Sequence, residues 1–297
     1  VPLFAMLNDK GPYRFPYPLG NIVGGGSHAG PGTPDIQEVL VCPMGARTIM
    51  EALETNFIIH KQVRIVLEKI DNKFTYGRGD EGAWAPNVNN DEAVSIVAQA
   101  VENAGLKLGR DVALGIDFAS SSMWDSTRKI YDYSRQGLVR NTEDQIGFVE
   151  DLIKNYHLIY AEDPVNEDDF ESMALLTKRN KNSLITGDDM LVTSTDRLHD
   201  ACKYGACNGA ILKVNQAGTL YNALDFADNC TKNNIKIITS HRSGESIDAH
   251  ISHIAIATYS KMIKTGVVGG ERVSKLNEFL RLSEYDLIKG MIDLSFT

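Results

Sequence analysis

The chain has 297 residues, with 39 acidic against 30 basic side chains and a formal net charge of −9. This excludes a general nucleic-acid binder, whose surface would be basic. No apolar run reaches the ~18 residues of a membrane span and no signal-peptide pattern opens the chain, so a cytoplasmic protein with no membrane partner is expected. Cys42, Cys202, Cys207 and Cys230 form no C-x-x-C pair and read as reduced, buried thiols.

In chain order, eight short apolar runs read as buried parallel strands: 2–7, 37–42, 112–117, 158–162, 184–188, 210–214, 235–240 and 261–266. Helical patterns lie between most of them. Val94, Val97, Ala98 and Val101 follow the i, i+3, i+4, i+7 spacing of a one-sided helix, as do Leu220, Ala223, Leu224 and Ala227. Thr195 and Thr219 stand near helix starts. The first two runs are joined by a Gly/Pro-rich stretch, 20–34, with no helix pattern, and two helices, near 46–69 and 91–103, follow the second run. Eight strands alternating with helices predict an α/β fold, a (β/α)8 barrel, in one domain over 1–297. An open doubly wound sheet is the rival arrangement.

Six of the runs deliver a charged or polar group at or just past their C-terminal ends: Asp117, Glu162-Asp163, Asp188-Asp189, Lys213, His241-Arg242-Ser243 and Lys264. In a barrel those ends form one rim, where active sites sit. Asp117, Glu162 and Asp188 fall on consecutive strands, and carboxylates held close require a counter-charge. Three oxygen donors without a His or Cys ligand suit Mg2+; a salt-bridge cluster with the facing bases is the alternative. Lys213, His241, Arg242, Ser243 and Lys264 form a cationic wall opposite. An arginine fork beside a serine hydroxyl suits phosphate oxygens. A lysine near other cations and a metal is expected to have a lowered pKa and to serve as a base. Asp189 is placed as orienting a neighbour. His250 and His253 lack both H-E-x-x-H and a third ligand. Gly77-x-Gly79 follows a helix rather than a strand, so it is no dinucleotide fingerprint. His28 lies in a glycine-bounded loop, Gln37-Glu38 opens the second run, and Glu81 lies in the loop Gly79-Asp80-Glu81-Gly82; Glu38 and Glu81 are candidate acids.

The segments Gly-Ser-His-Ala-Gly (26–30), Gly-Asp-Glu-Gly (79–82), Glu-Asp-Pro (162–164), Gly-Asp-Asp (187–189), Leu-Lys-Val-Asn-Gln (212–216), Ser-His-Arg-Ser-Gly-Glu (240–245), Lys-Thr-Gly (264–266) and Glu-Arg-Val-x-Lys-x-Asn (271–277) resemble those of enolases, in the same order. The resemblance implies a barrel with an irregular ββαα(βα)6 start. It implies Asp117, Glu162 and Asp188 as ligands of Mg2+, Lys213 as the base at substrate C2, and Glu81 as the acid at C3 with His28 and Glu38 beside it. It further implies Gln37, His241 and Lys264 at the substrate, and Arg242 with Ser243 as the phosphate clamp. The implied reaction is the interconversion of 2-phosphoglycerate and phosphoenolpyruvate in glycolysis and gluconeogenesis, in a homodimer. The chain departs from the pattern at Ala83, at Ala161 and in the Asp117-Phe-Ala-Ser-Ser-Ser segment, which lacks the usual nearby Glu. The family's N-terminal domain, source of a mobile loop and of contacts to a second Mg2+, is expected to be absent from this chain. The alternative function is therefore a barrel that binds metal and phosphorylated ligand but needs that domain for turnover.

Overall fold

A computed structural model describes residues 1–295 and closes eight strands into one barrel. The strands are β1 (Tyr17–Gly24), β2 (Glu38–Cys42), β3 (Ala113–Asp117), β4 (Leu158–Glu162), β5 (Leu184–Gly187), β6 (Gly209–Leu212), β7 (Lys236–Ser240) and β8 (Met262–Lys264). Each pairs with its neighbours in sequence and β8 pairs with β1, which rules out the open sheet. β2 runs antiparallel to both β1 and β3; the other barrel pairings are parallel.

Seven of the expected runs are strands. The exception is 2–7, which forms the short helix Leu3–Leu7 instead. Phe4 of this helix packs edge-on to Tyr13 and joins a cluster with Phe15, Ile256 and Phe279 beside the barrel. The true first strand is β1, in which every residue is buried. Its Pro, two Gly and Asn disguise it, because those residues usually mark turns. Two helices follow β2, Ile49–Ile70 and Asn90–Asn103, so the irregular start is present. Thr48 caps the first, and Asn89 with Glu92 forms a capping box on the second. A three-stranded antiparallel insert, Trp124–Asp125, Ile130–Tyr133 and Leu138–Arg140, follows β3.

Strand periodicity positions the site. Alternate residues of each strand turn outward to the helices, as Val39, Val41, Leu114, Ile116, Ile185 and Leu212 do. The others fill the barrel with a separate cluster that includes Leu19, Leu40, Tyr160, Leu184, Ile211, Ile238 and Met262. Two residues further toward the rim, the same inward faces carry Glu38, Glu162, Thr186, Lys213, Ser240 and Lys264. The barrel is thus apolar below and charged above. Among the described residues no helix is long and apolar enough to cross a membrane, and all four cysteines are free thiols.

Candidate active site

Because β2 is reversed, its beginning rather than its end reaches the rim. This brings Gln37 and Glu38 level with the ends of the parallel strands. Glu38 faces Asp117 across one ladder, and Asp117 faces Glu162 across the next. Lys264 reaches this acid row from the far side. Its Nζ lies 2.7 Å from Glu162 Oε2, 2.9 Å from Asp117 Oδ2 and 3.3 Å from Glu38 Oε1. The lysine is fully buried, and burial disfavours its charge, yet the three carboxylates hold its pKa well above the ordinary value.

Glu162 is completely buried. Burial, with Asp117 adding to it, pushes its carboxyl up to about 8 despite Lys264. Tyr160 donates to Glu162 Oε2 at 2.5 Å. Asp188, just past β5, is paired with the Lys213 ammonium. Asp163 was not assigned a role from the sequence. Its backbone takes the left-handed conformation (φ 41°), and its carboxylate accepts the backbone N–H groups of Asp188 at 3.0 Å and Asp189 at 2.8 Å. It therefore shapes the turn that aims Asp188. Asp189 lines the cavity and contributes its N–H to that turn.

Asp117, Glu162 and Asp188 meet the facing lysines at this rim. The facing lysines pair with them, as a salt-bridge cluster would. Even so, Glu162 Oε1 and Asp188 Oδ1 are buried with no hydrogen-bond partner. Glu162, Asp163 and Asp188 each present an oxygen within 4.8 Å of the others. Unpartnered buried carboxylate oxygens require a cation or a proton, and an all-oxygen donor set fits a hard divalent ion. Asp117 is more fully engaged: Oδ1 accepts from Ala119 N, and Oδ2 from Lys264 and from Gln37 Nε2 at 3.2 Å.

The pKa expected for Lys213 is corrected. The residue follows β6 and precedes the short helix Val214–Ala217. Burial and Lys264 favour its neutral form, but Asp188 and Glu162 outweigh them and raise its pKa. Its position is fixed by Thr193, whose Oγ1 accepts from Lys213 N at 3.1 Å and donates to Gln216 Oε1 at 2.7 Å.

The opposite wall sets two histidines among carboxylates. His28 Nδ1 lies 3.3 Å from Glu38 Oε1 and 3.9 Å from Glu81 Oε1, and His241 Nε2 lies 3.0 Å from the same Glu81 oxygen. Asn21 of β1, missed with its strand, donates to Glu81 Oε2 at 3.1 Å. Burial opposes charge on His28, but Glu38 and Glu81 more than offset it and push the imidazole up to about 9. Burial, then repulsion from Glu81, raises Glu38. Burial would also raise Glu81, but His241, His28 and Lys264 bring it well below the carboxylate range.

Arg242 and Ser243 are exposed on the remaining side. Their loop is held by the buried Arg272, which donates to the carbonyls of Arg242 at 2.7 Å, Ser243 at 2.6 Å and Asp80 at 3.0 Å, and to His241 Nδ1 at 2.8 Å. Arg272 sits in a motif quoted above, but a charged residue within a helix gives no signal of complete burial. Apart from Glu162, which lies beneath it, every expected site residue lines one cavity of about 230 Å³. His250 and His253 lie elsewhere, paired with Asp248 and Glu278.

Residues 12–290 match the enolase C-terminal TIM barrel domain. The enolase of Methanosphaera stadtmanae is 43% identical over 295 residues, 99% of this chain and 71% of that protein. That of Methanothermobacter thermautotrophicus is 41% identical over 297 residues, covering 100% and 71%. That of Pyrobaculum aerophilum is 40% identical over 285 residues, covering 96% and 68%.

Proposed function

Since the chain belongs to the enolase family of lyases, we propose that it catalyses the Mg2+-dependent, reversible dehydration of 2-phosphoglycerate to phosphoenolpyruvate. The observation that carries this reading is the division of one cavity. Unpartnered carboxylate oxygens lie beside Lys213, and a Glu–His network lies on the opposite wall.

Asp117, Glu162 and Asp188 are the residues that would hold Mg2+. When bound, the ion opposes the negative charge that grows on the substrate carboxylate as the C2 proton leaves. Lys213 accepts that proton. Paired with Asp188 it keeps its own proton; once Asp188 serves as a ligand, Lys213 loses that partner and burial favours its neutral form. The electron pair of the C2–H bond first delocalises onto the carboxylate as an enediolate, and in the second step it becomes the C2=C3 double bond as the C3–O bond breaks. Glu81, ionised at rest, relays to the departing hydroxide a proton supplied by His28, so water leaves. His28, between Glu38 and Glu81, retains a proton at neutral pH for that exchange. Arg242 and Ser243 bind the phosphate, which carries roughly two negative charges. Gln37 and Lys264 orient the substrate carboxylate.

The test is phosphoenolpyruvate formation followed by absorbance with Mg2+, together with exchange of the C2 proton. Lys213→Ala should abolish exchange, whereas Glu81→Gln should spare exchange more than dehydration. Equal loss of both activities in both variants would break the assigned roles. Binding of 2-phosphoglycerate and Mg2+ without turnover by the unaltered chain would replace this reading with the binding-only one.

A further inference from the structure

We infer that Arg272 is a positioning residue that fixes the tautomer of His241, holding it neutral with its ring hydrogen on Nε2, the nitrogen nearer Glu81. A guanidinium has five N–H donors and no acceptor. The two hydrogens of Nη1 go to His241 Nδ1 at 2.8 Å and to the Arg242 carbonyl at 2.7 Å. The two of Nη2 go to the carbonyls of Asp80 at 3.0 Å and Ser243 at 2.6 Å. The remaining Nε–H has no hydrogen-bond partner, with Glu271 Oε1 3.5 Å away. Because arginine cannot accept, His241 Nδ1 must offer its lone pair, which leaves the ring hydrogen on Nε2, 3.0 Å from Glu81 Oε1.

A second proton on His241 would have to sit on Nδ1, facing a permanent cation. Both side chains are almost completely buried, so water cannot screen that contact. Arg272 thereby does two things at once. It ties the Glu81 loop, through the Asp80 carbonyl, to the loop of Arg242 and Ser243. It also presents Glu81 with a neutral donor rather than an imidazolium. Of the groups that lower Glu81, His241 then acts as a neutral ring rather than a cation, which leaves His28 and Lys264 as the cations nearby, so Glu81 regains some of the proton affinity that an acid at C3 needs. This catalytic consequence rests on the lyase reading; the tautomer does not.

The experiment is 15N NMR of histidine-labelled full chain near neutral pH. His241 should show one-bond proton coupling at Nε2 and none at Nδ1. A proton on Nδ1, or on both nitrogens, overturns the inference. In Arg272→Gln, His241 should become protonated on both nitrogens, and dehydration should fall by about 10²-fold or more while C2 exchange changes only a few-fold. Equal loss of the two activities in a folded variant would overturn the catalytic consequence. Should that variant not fold, the spectrum of the unaltered chain decides. The expected spectrum in a chain without lyase activity would sink the functional reading and leave the tautomer standing.

Discussion

Glu38 and Asp117 face each other across an antiparallel ladder, and the single ammonium of Lys264 lies 3.3 Å from the first and 2.9 Å from the second. Two adjacent buried acids thus share this ammonium with a third, Glu162, and Glu38 has His28 as a second counter-charge. Lys264→Met keeps the length of the side chain and removes the charge. It should lower stability by about 3–5 kcal/mol, the cost of leaving buried charge uncompensated. Urea denaturation measures this; an unchanged midpoint would show that the acids are protonated without the lysine.

The unpartnered oxygens of Glu162 and Asp188 predict that Mg2+ stabilises the fold. At 100 times the dissociation constant, binding to the native state adds about 2.7 kcal/mol. The melting temperature should rise with Mg2+ in the unaltered chain and stay flat in Asp188→Asn. A rise of the same size in both would place the ion elsewhere.

His28 predicts a pH dependence. Its pKa rises from 6.5 to about 9 on folding. A raised pKa means that the folded state binds the proton more tightly. Its contribution to stability is therefore fully present below about 6.5 and lost as pH climbs through about 9. Glu162, also raised, contributes in the same direction. Denaturation midpoints should fall between those limits, and less steeply in His28→Gln. Identical slopes for the two chains would refute the assigned pairing of His28 with Glu38.

Gly79 predicts a packing effect. A Cβ there would lie 2.4 Å from the carbonyl oxygen of His28, while Asp80 N donates to that same carbonyl at 3.1 Å. Gly79→Ala should force the loops of Glu81 and His28 apart, at about 1–3 kcal/mol. Dehydration should fall by up to about 10²-fold, the scale for an ångström of misplacement. Wild-type turnover in the variant would show that the two loops move independently.

The barrel was legible because its strands are short, apolar and capped by charge: Asp117, Glu162, Asp188 and Lys264 all stand at or next to the strand ends anticipated from the sequence. β1 was not, because Pro18, Gly20, Asn21 and Gly24 imitate a loop. Asn21 in fact turns its amide to Glu81, and a Cβ on Gly20 would lie 2.6 Å from Val267. The residues that make first contact with the cavity were legible by charge and position. Asp163, Tyr160, Thr193 and Arg272 were not, since each acts through hydrogen bonds to another site residue or its backbone. Those of Asp163, Thr193 and Arg272 are long-range and leave no local spacing to read, while that of Tyr160 joins two alternate residues of one apolar strand, where a tyrosine reads as core. Nor does spacing show that Asp188 pairs with Lys213, which raises the lysine's pKa while that pair is intact.

The carboxylates of the acid row arrive on β2, β3 and β4, while their shared ammonium arrives on β8, the strand that also seals the ring against β1. Closure and neutralisation are therefore one event. A chain emerging in order of synthesis carries three mutually repelling acids with no lysine to hold them until its last barrel strand is available. The strand that completes the ring thus also brings the ammonium that three of the earlier strands' acids face.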